Sequence, residues 1–467
     1  VSIGNFNYNT QEIKQKDMDH QIHPWTDFPS FKKDGSLVIA ESEGSYVYDS
    51  EGKKYLDGIA GLWCVNVGYG RDEIAQAMAD QARRMTYYSS FGAHTSIPAA
   101  ELAAKLAELT PGDLDHVFFG TGGSMSNDTA VRIIQYYFNQ LGKPTKKIMI
   151  SRHDAYHGST YAAMTLTGVA FDHQGWDLAP GLVERISNPN PYRKPEGMTD
   201  ADFLESLVKE FDDKILELGP DNVAALFAEP IMGAGGVIVP PAGYHKRMLE
   251  VCHKYDMLYV ADEVVTAFGR LGHFFASEDV FGMIPDIIVS AKGLSSAYAP
   301  LSATILSKAI YDVISVPQCE GGMFTHGFTY SGHPVCCAAG LKNIEIMERE
   351  DICGHVRKMG PYLEERLQSL HDLAIVGDVR GKDFMMCVEN VANKETKELL
   401  PAEAHVGDRI AAACEKRGVL VRPIAHLNVM SPPLILTKDQ IDFMVDTLRE
   451  GIIETQDSLI RDGFWKG

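Results

Sequence analysis

Short apolar runs separated by helical patterns dominate the middle of the chain, and they constrain the fold most. Val117-Phe118-Phe119 precedes a glycine-rich turn and a helical pattern from Ser124 to Leu141, with Val131, Ile134 and Phe138 at helical spacing. Then come Lys147 to Ile150, Ala224 to Ala228, a helical stretch from Tyr244 to Lys254, Met257 to Ala261, Ile287 to Ser290 and Ala303 to Leu306. Apolar runs without polar alternation suit strands covered on both faces. Their alternation with helices predicts an α/β fold with a mostly parallel sheet sandwiched by helices.

The flanks read differently. Residues 37–57 alternate polar and apolar around Ser50-Glu51-Gly52, which is a hairpin pattern, and from about Ser331 a helical pattern runs through Met347. We therefore expect a large domain over 71–330 and a smaller α+β domain built from both termini, 1–70 and 331–467. No internal repeat is found. With 45% hydrophobic residues, the 467-residue chain can bury a core without disulfide staples.

Charge and cysteine usage narrow the setting. A formal charge of -20 argues against nucleic acid and anionic membrane surfaces as partners. No apolar run of about 18 residues spans a membrane, and the first residues lack a secretory pattern. The eight cysteines show no C-x-x-C spacing, so reduced thiols and a cytoplasmic location are expected.

Four segments leave polar residues at strand ends, where ligands sit in open α/β sheets. Gly120-Thr121-Gly122-Gly123-Ser124 joins strand to helix, and free N–H groups there suit a phosphate. It matches neither a dinucleotide fingerprint nor a P-loop, which argues against a nucleotide-binding oxidoreductase or hydrolase. Asp262-Glu263-Val264 ends one apolar strand. Lys292 directly follows another, placed for a depressed pKa and Schiff-base chemistry. Tyr156 and His157 offer a ring beside the same edge. His153 and His157 stand four apart, but no H-E-x-x-H pattern occurs and no metal site is expected. His326 and His333 read as satisfied structural histidines.

A lysine, a carboxylate, an aromatic ring and a phosphate cradle are what pyridoxal 5'-phosphate (PLP) needs, because a carboxylate keeps its pyridine nitrogen protonated. The chain resembles the class III (ω-amino acid:pyruvate type) aminotransferases of fold type I. The matching segments run from Gly61-Leu62-Trp63 through Ala228-Glu229-Pro230, Asp262-Glu263-Val264, Ser290-Ala291-Lys292-Gly293 and His326 to Pro334, ending at Arg422-Pro423.

That resemblance implies the PLP-dependent transferase fold and a set of roles. Lys292 would carry the cofactor and shuttle a proton, Asp262 would pair with the pyridine nitrogen, and Glu229 would sit near O3′. Val264 and Tyr156 would hold the two ring faces, and Gly123 and Ser124 the phosphate. Thr329 would reach the partner subunit's phosphate in a homodimer with shared sites, or in a tetramer of such dimers. Trp63, and Phe91 from the partner, would wall the substrate pocket, with Arg422 receiving an acceptor's carboxylate. The implied reaction moves an amino group from an amine or ω-amino acid to a 2-oxo acid, expected to be pyruvate, by a ping-pong mechanism. The alternatives on the same scaffold are a dialkylglycine-type decarboxylase and an aminomutase. The phosphate turn departs from the family pattern: Gly122 lacks a hydroxyl and Met125 stands where a carboxylate is usual. Backbone contacts to phosphate are expected to survive both changes.

Overall fold

A computed structural model describes residues 3–4, 6–318 and 322–467; Cys319 lies outside the described residues. Among these, the central sheet has seven strands. From one edge they are Leu114–Gly120, Ser302–Ser307, Ile287–Ser290, Leu258–Asp262, Val223–Ala228, Ile148–Arg152 and Val183–Ile186. The last five pair in parallel, whereas Ser302–Ser307 runs antiparallel to both neighbours. The sheet is therefore mostly parallel, as expected, with one reversed strand that periodicity could not signal.

Alternate residues of these strands feed two opposite cores. Ala225, Phe227, Leu258, Val260, Ile287 and Val289 pack with Val131, Ile134 and Phe138 of the helix Gly123–Gln140. Leu226, Tyr259, Ala261 and Ile288 join the other core with Phe203, Leu207 and Phe211 of the helix Asp200–Leu218. That helix starts where Thr199 accepts the Asp202 N–H, a side-chain cap, and buries residues at helical spacing. With both faces covered, each strand has to be apolar throughout. Truncating a fully buried ring such as Phe211 would cost about 3–5 kcal/mol.

The chain ends meet in smaller sheets. Ile39–Glu43, Tyr46–Asp49 and Lys54–Asp57 form an antiparallel meander, and Val419–Leu420 adds in parallel to its last strand. A second sheet has the order Val376–Lys382, Met385–Asn390, Leu427–Met430 and Arg422–Ile424. Its terminal hairpin carries Arg422. Among the described residues, no helix is long and apolar enough to cross a membrane.

Candidate active site

Sheet order brings four of the sequence signals to one edge. The carboxyl ends of Ile287–Ser290, Leu258–Asp262, Val223–Ala228 and Ile148–Arg152 lie side by side. Lys292, Asp262, Glu229 and Tyr156 follow from those ends, so four separate stretches of chain meet at one place. The glycine-rich turn joins them across the reversed strand, where Ser302 Oγ accepts the Gly122 N–H at 3.1 Å and the Ser126 hydroxyl at 2.7 Å.

Asp262 is 4% exposed, and three groups hydrogen-bond to it. Its Oδ2 accepts from His157 Nδ1 and Asn127 Nδ2, both at 2.8 Å, while Oδ1 accepts the Val264 N–H at 3.1 Å. The carboxylate is thereby fixed as an acceptor. His157 and Asn127 lie in segments that the sequence singled out, but no role at the site was assigned to either. The signal was adjacency: one follows Tyr156 and the other lies just past the glycine-rich turn, near the start of the helix Gly123–Gln140. His153, the other half of the spaced histidine pair, is exposed.

Lys292 has φ +42, a strained conformation for a side-chain-bearing residue, and its amine has no hydrogen-bond or ion-pair partner among the described residues. Burial lowers its pKa, opposed by the charges of Asp262, Cys64 and Glu229. Glu229 is buried, which raises its pKa, and it accepts the Tyr156 N–H at 3.0 Å and the Gly233 N–H at 2.7 Å. A Cβ on Gly233 would stand 3.0 Å from the Trp63 ring, so glycine lets Trp63 close over this carboxylate.

The helix Gly123–Gln140 begins at the turn with no side chain capping its first turn. Such uncapped N–H groups form an anion site. Gly123 lies against Val264, where a Cβ would fall 3.0 Å from both of its methyls. Gly158, at φ +129, crosses so close to Ser124 that a Cβ would sit 2.3 Å from its Oγ. The Gly122 position faces open space, and Met125 Sδ accepts the Thr121 hydroxyl at 3.6 Å.

On the substrate side, Trp63 is buried and Arg422 is partly buried, with no hydrogen bond or ion pair to its guanidinium among the described residues. Burial lowers the Arg422 pKa, and the Tyr156 phenol opposes this. Phe91 is 57% exposed and Thr329 is exposed, its carbonyl accepting the Tyr87 hydroxyl at 2.7 Å. Neither belongs to this chain's own cluster. Trp25, which sequence reasoning missed, meets the Tyr156 ring edge to face at 5.8 Å. His326 bonds to Thr129 Oγ1 at 3.1 Å as expected, but His333 Nδ1 is buried without a partner. The expectation of a satisfied His333 is therefore corrected: its ring lies against Tyr87, which offers that nitrogen no hydrogen bond.

The family model described as aminotransferase class-III matches residues 30–452. The chain belongs to the class III aminotransferases. It is 40% identical over 451 residues to a putrescine–pyruvate aminotransferase of Pseudomonas aeruginosa, covering 96% of this chain and 97% of the relative. It is 41% identical over 423 residues to gamma-aminobutyrate transaminase 1, mitochondrial, of Oryza sativa subsp. indica, covering 90% of this chain and 82% of the relative. The crystal structure of an (S)-enantioselective omega-transaminase from Thermomicrobium roseum superposes with a TM-score of 0.93 at 40% identity, covering 96% of this chain and 99% of that one. This aminotransferase therefore has the PLP-dependent fold type I architecture and depends on PLP. Its own residues fit that cofactor: an uncapped helix start, a buried carboxylate held as an acceptor, and a lysine with no partner.

Proposed function

We propose that this aminotransferase moves an amino group from an amine or ω-amino acid to pyruvate by a ping-pong mechanism. The observation that carries the reading is Arg422, a cation with no anion of its own beside Tyr156. Such a group suits an acceptor's carboxylate and is not needed by a donor amine that lacks one. A relative acting on putrescine and pyruvate supports the same pair of substrate classes.

PLP, when bound, supplies the electron sink that makes the bond from the amine's α-carbon to hydrogen acidic. Asp262 would accept a hydrogen bond from the cofactor's ring N–H and so keep that nitrogen protonated, with His157 and Asn127 orienting the carboxylate. Lys292 Nζ would hold the cofactor at rest and, once the substrate's amine has taken its place and freed it, would take the proton from the substrate's α-carbon, which its burial-lowered pKa favours. Glu229 would sit near O3′, Val264 and Tyr156 would hold the two ring faces, and Gly123 and Ser124 would present backbone N–H groups to the phosphate. Trp63 narrows the pocket and excludes water.

Thr329 and Phe91, exposed in the single chain, serve the neighbouring site in a homodimer. Within each subunit, 1–70 and 331–467 form the small domain around 71–330, a reading supported by the pairing of Lys54–Asp57 with Val419–Leu420. Seven described cysteines are free, which suits the cytoplasm.

A single-turnover panel tests the reaction. Amines should convert the bound cofactor's absorbance, and pyruvate alone should restore it with release of alanine. Carbon dioxide release or an isomerised product without any oxo acid would overturn the reading.

A further inference from the structure

The reversed strand Ser302–Ser307 reaches the phosphate turn with two buried hydroxyls that the chemistry above does not use. Side chains two apart on a strand share a face, and here Ser302 and Thr304 both meet the start of the helix Gly123–Gln140. Ser302 Oγ accepts the Gly122 N–H at 3.1 Å and the Ser126 hydroxyl at 2.7 Å, and Thr304 Oγ1 donates to the Ser126 carbonyl at 3.0 Å. Ser302, Thr304 and Ser126 are all buried. Hydroxyls so placed stay with their partners, because breaking such a bond leaves a donor or acceptor unpaired away from water.

The turn they grip has little else to fix it. Gly122 stands at the N-cap, where Ser, Thr, Asp or Asn ordinarily secures a helix start through its side chain, and glycine has none to offer. A Cβ there would meet nothing within 4 Å, so packing does not fix the turn either. The first backbone bond of the helix runs from the Ser126 N–H to the Gly122 carbonyl at 3.1 Å. The N–H groups of Gly123, Ser124 and Met125 come before it and are left for an anion. Ser302 Oγ is itself held in place, since Ser302 pairs with Gly120 in the sheet. A Cβ on Gly120 would fall 2.7 Å from that oxygen, so the strand and the turn meet without slack.

We propose that Ser302, with Ser126, is a positioning residue for the cofactor's phosphate: its hydroxyl aims the uncapped helix start in place of the side chain that Gly122 lacks. The inference rests on reading that helix start as the phosphate site. Asp262 and Tyr156 follow other strand ends, so the role is confined to the phosphate and does not extend to the cofactor's ring.

The test compares PLP with pyridoxal, the same ring without the phosphate. The full chain is stripped of cofactor and titrated with each, binding being read from absorbance. Wild type should bind PLP at least about a hundredfold more tightly than pyridoxal, the scale of two charge-assisted hydrogen bonds. Ser302→Ala should weaken PLP about tenfold, the scale of one such bond, and pyridoxal by less than about twofold. Ser126→Ala removes one of the two hydrogen bonds on Ser302 Oγ but leaves Gly122 its acceptor. It should weaken PLP about threefold and spare pyridoxal, and it carries the same comparison should Ser302→Ala not fold. Equal losses for the two ligands would make the serines packing residues and overturn the proposal, as would unchanged PLP binding. Tighter PLP binding by Ser302→Ala would also overturn it, because Ser302 would then be withholding the Gly122 N–H from the phosphate. A wild type that binds both ligands equally would instead defeat the phosphate reading of the helix start.

Discussion

His157 and Asp262 share a 2.8 Å hydrogen bond that water cannot reach, with the His157 side chain fully buried and its Nε2 without a partner. The imidazole meets Phe227 edge to face at 6.1 Å, so the ring is held by packing as well as by its bond. We expect His157 to act as a positioning residue through Asp262. His157→Phe should weaken PLP binding about tenfold, the cost of one charge-assisted hydrogen bond, and shift the cofactor's absorbance. His157→Asn, which restores a donor, should recover most of the affinity. Cofactor titration followed by fluorescence checks this. Equal PLP affinity in wild type and His157→Phe would make the histidine a packing residue only.

Lys292→Ala should abolish turnover, with a loss of at least about 10²–10⁴-fold from general acid–base catalysis alone. The variant should still bind PLP, because Asp262, Val264, Tyr156 and the helix start at Gly123 remain. Mass spectrometry after borohydride treatment should find no covalent cofactor, while absorbance reports bound PLP. Substantial turnover in the variant would remove Lys292 from its role.

The sheet and the meeting of four strand ends were legible because a strand buried on both faces has to be apolar, and its polar successor then stands out. Lys292 and Asp262 are visible on that basis. Trp25 was not, since nothing in His23-Pro24-Trp25 distinguishes a ring that meets Tyr156 from a solvated side chain; only the folded chain brings the two together. The reversed strand Ser302–Ser307 escaped for a related reason. Apolar periodicity reports burial, and carries no information about strand direction.

Glu389 makes acid stability sensitive to one contact between distant parts of the chain. Burial alone would raise its pKa, but bonds to His426, Arg380 and Arg193 outweigh burial and hold it at about 2. Its folded-state pKa is therefore depressed. The contribution is present above the ordinary value of 4.5 and lost as pH falls from there towards 2. At neutral pH it should amount to about 3 kcal/mol. Urea unfolding at pH 7 and pH 3 should show Glu389→Gln destabilised at pH 7 and closer to wild type at pH 3. A difference that stays constant with pH would mean the carboxylate's charge contributes nothing.

Arg422 separates the two halves of the reaction. It begins the strand Arg422–Ile424, whose register against Leu427–Met430 pairs it with Val429 and fixes the backbone while leaving the guanidinium without an anion. Keeping a partly buried cation unpaired is costly, and the cost is recovered when an acceptor's carboxylate binds. A monoamine donor brings no such group. Arg422→Ala should therefore raise the pyruvate concentration needed for half-maximal reaction by about 10²-fold, the scale of one buried hydrogen-bonded charge pair. The amine half-reaction with n-butylamine should change by less than about threefold. Single-turnover kinetics run separately on the two cofactor forms give both numbers. Equal losses in the two halves would make Arg422 a structural residue of the hairpin, and a larger loss with the amine would reverse its assignment.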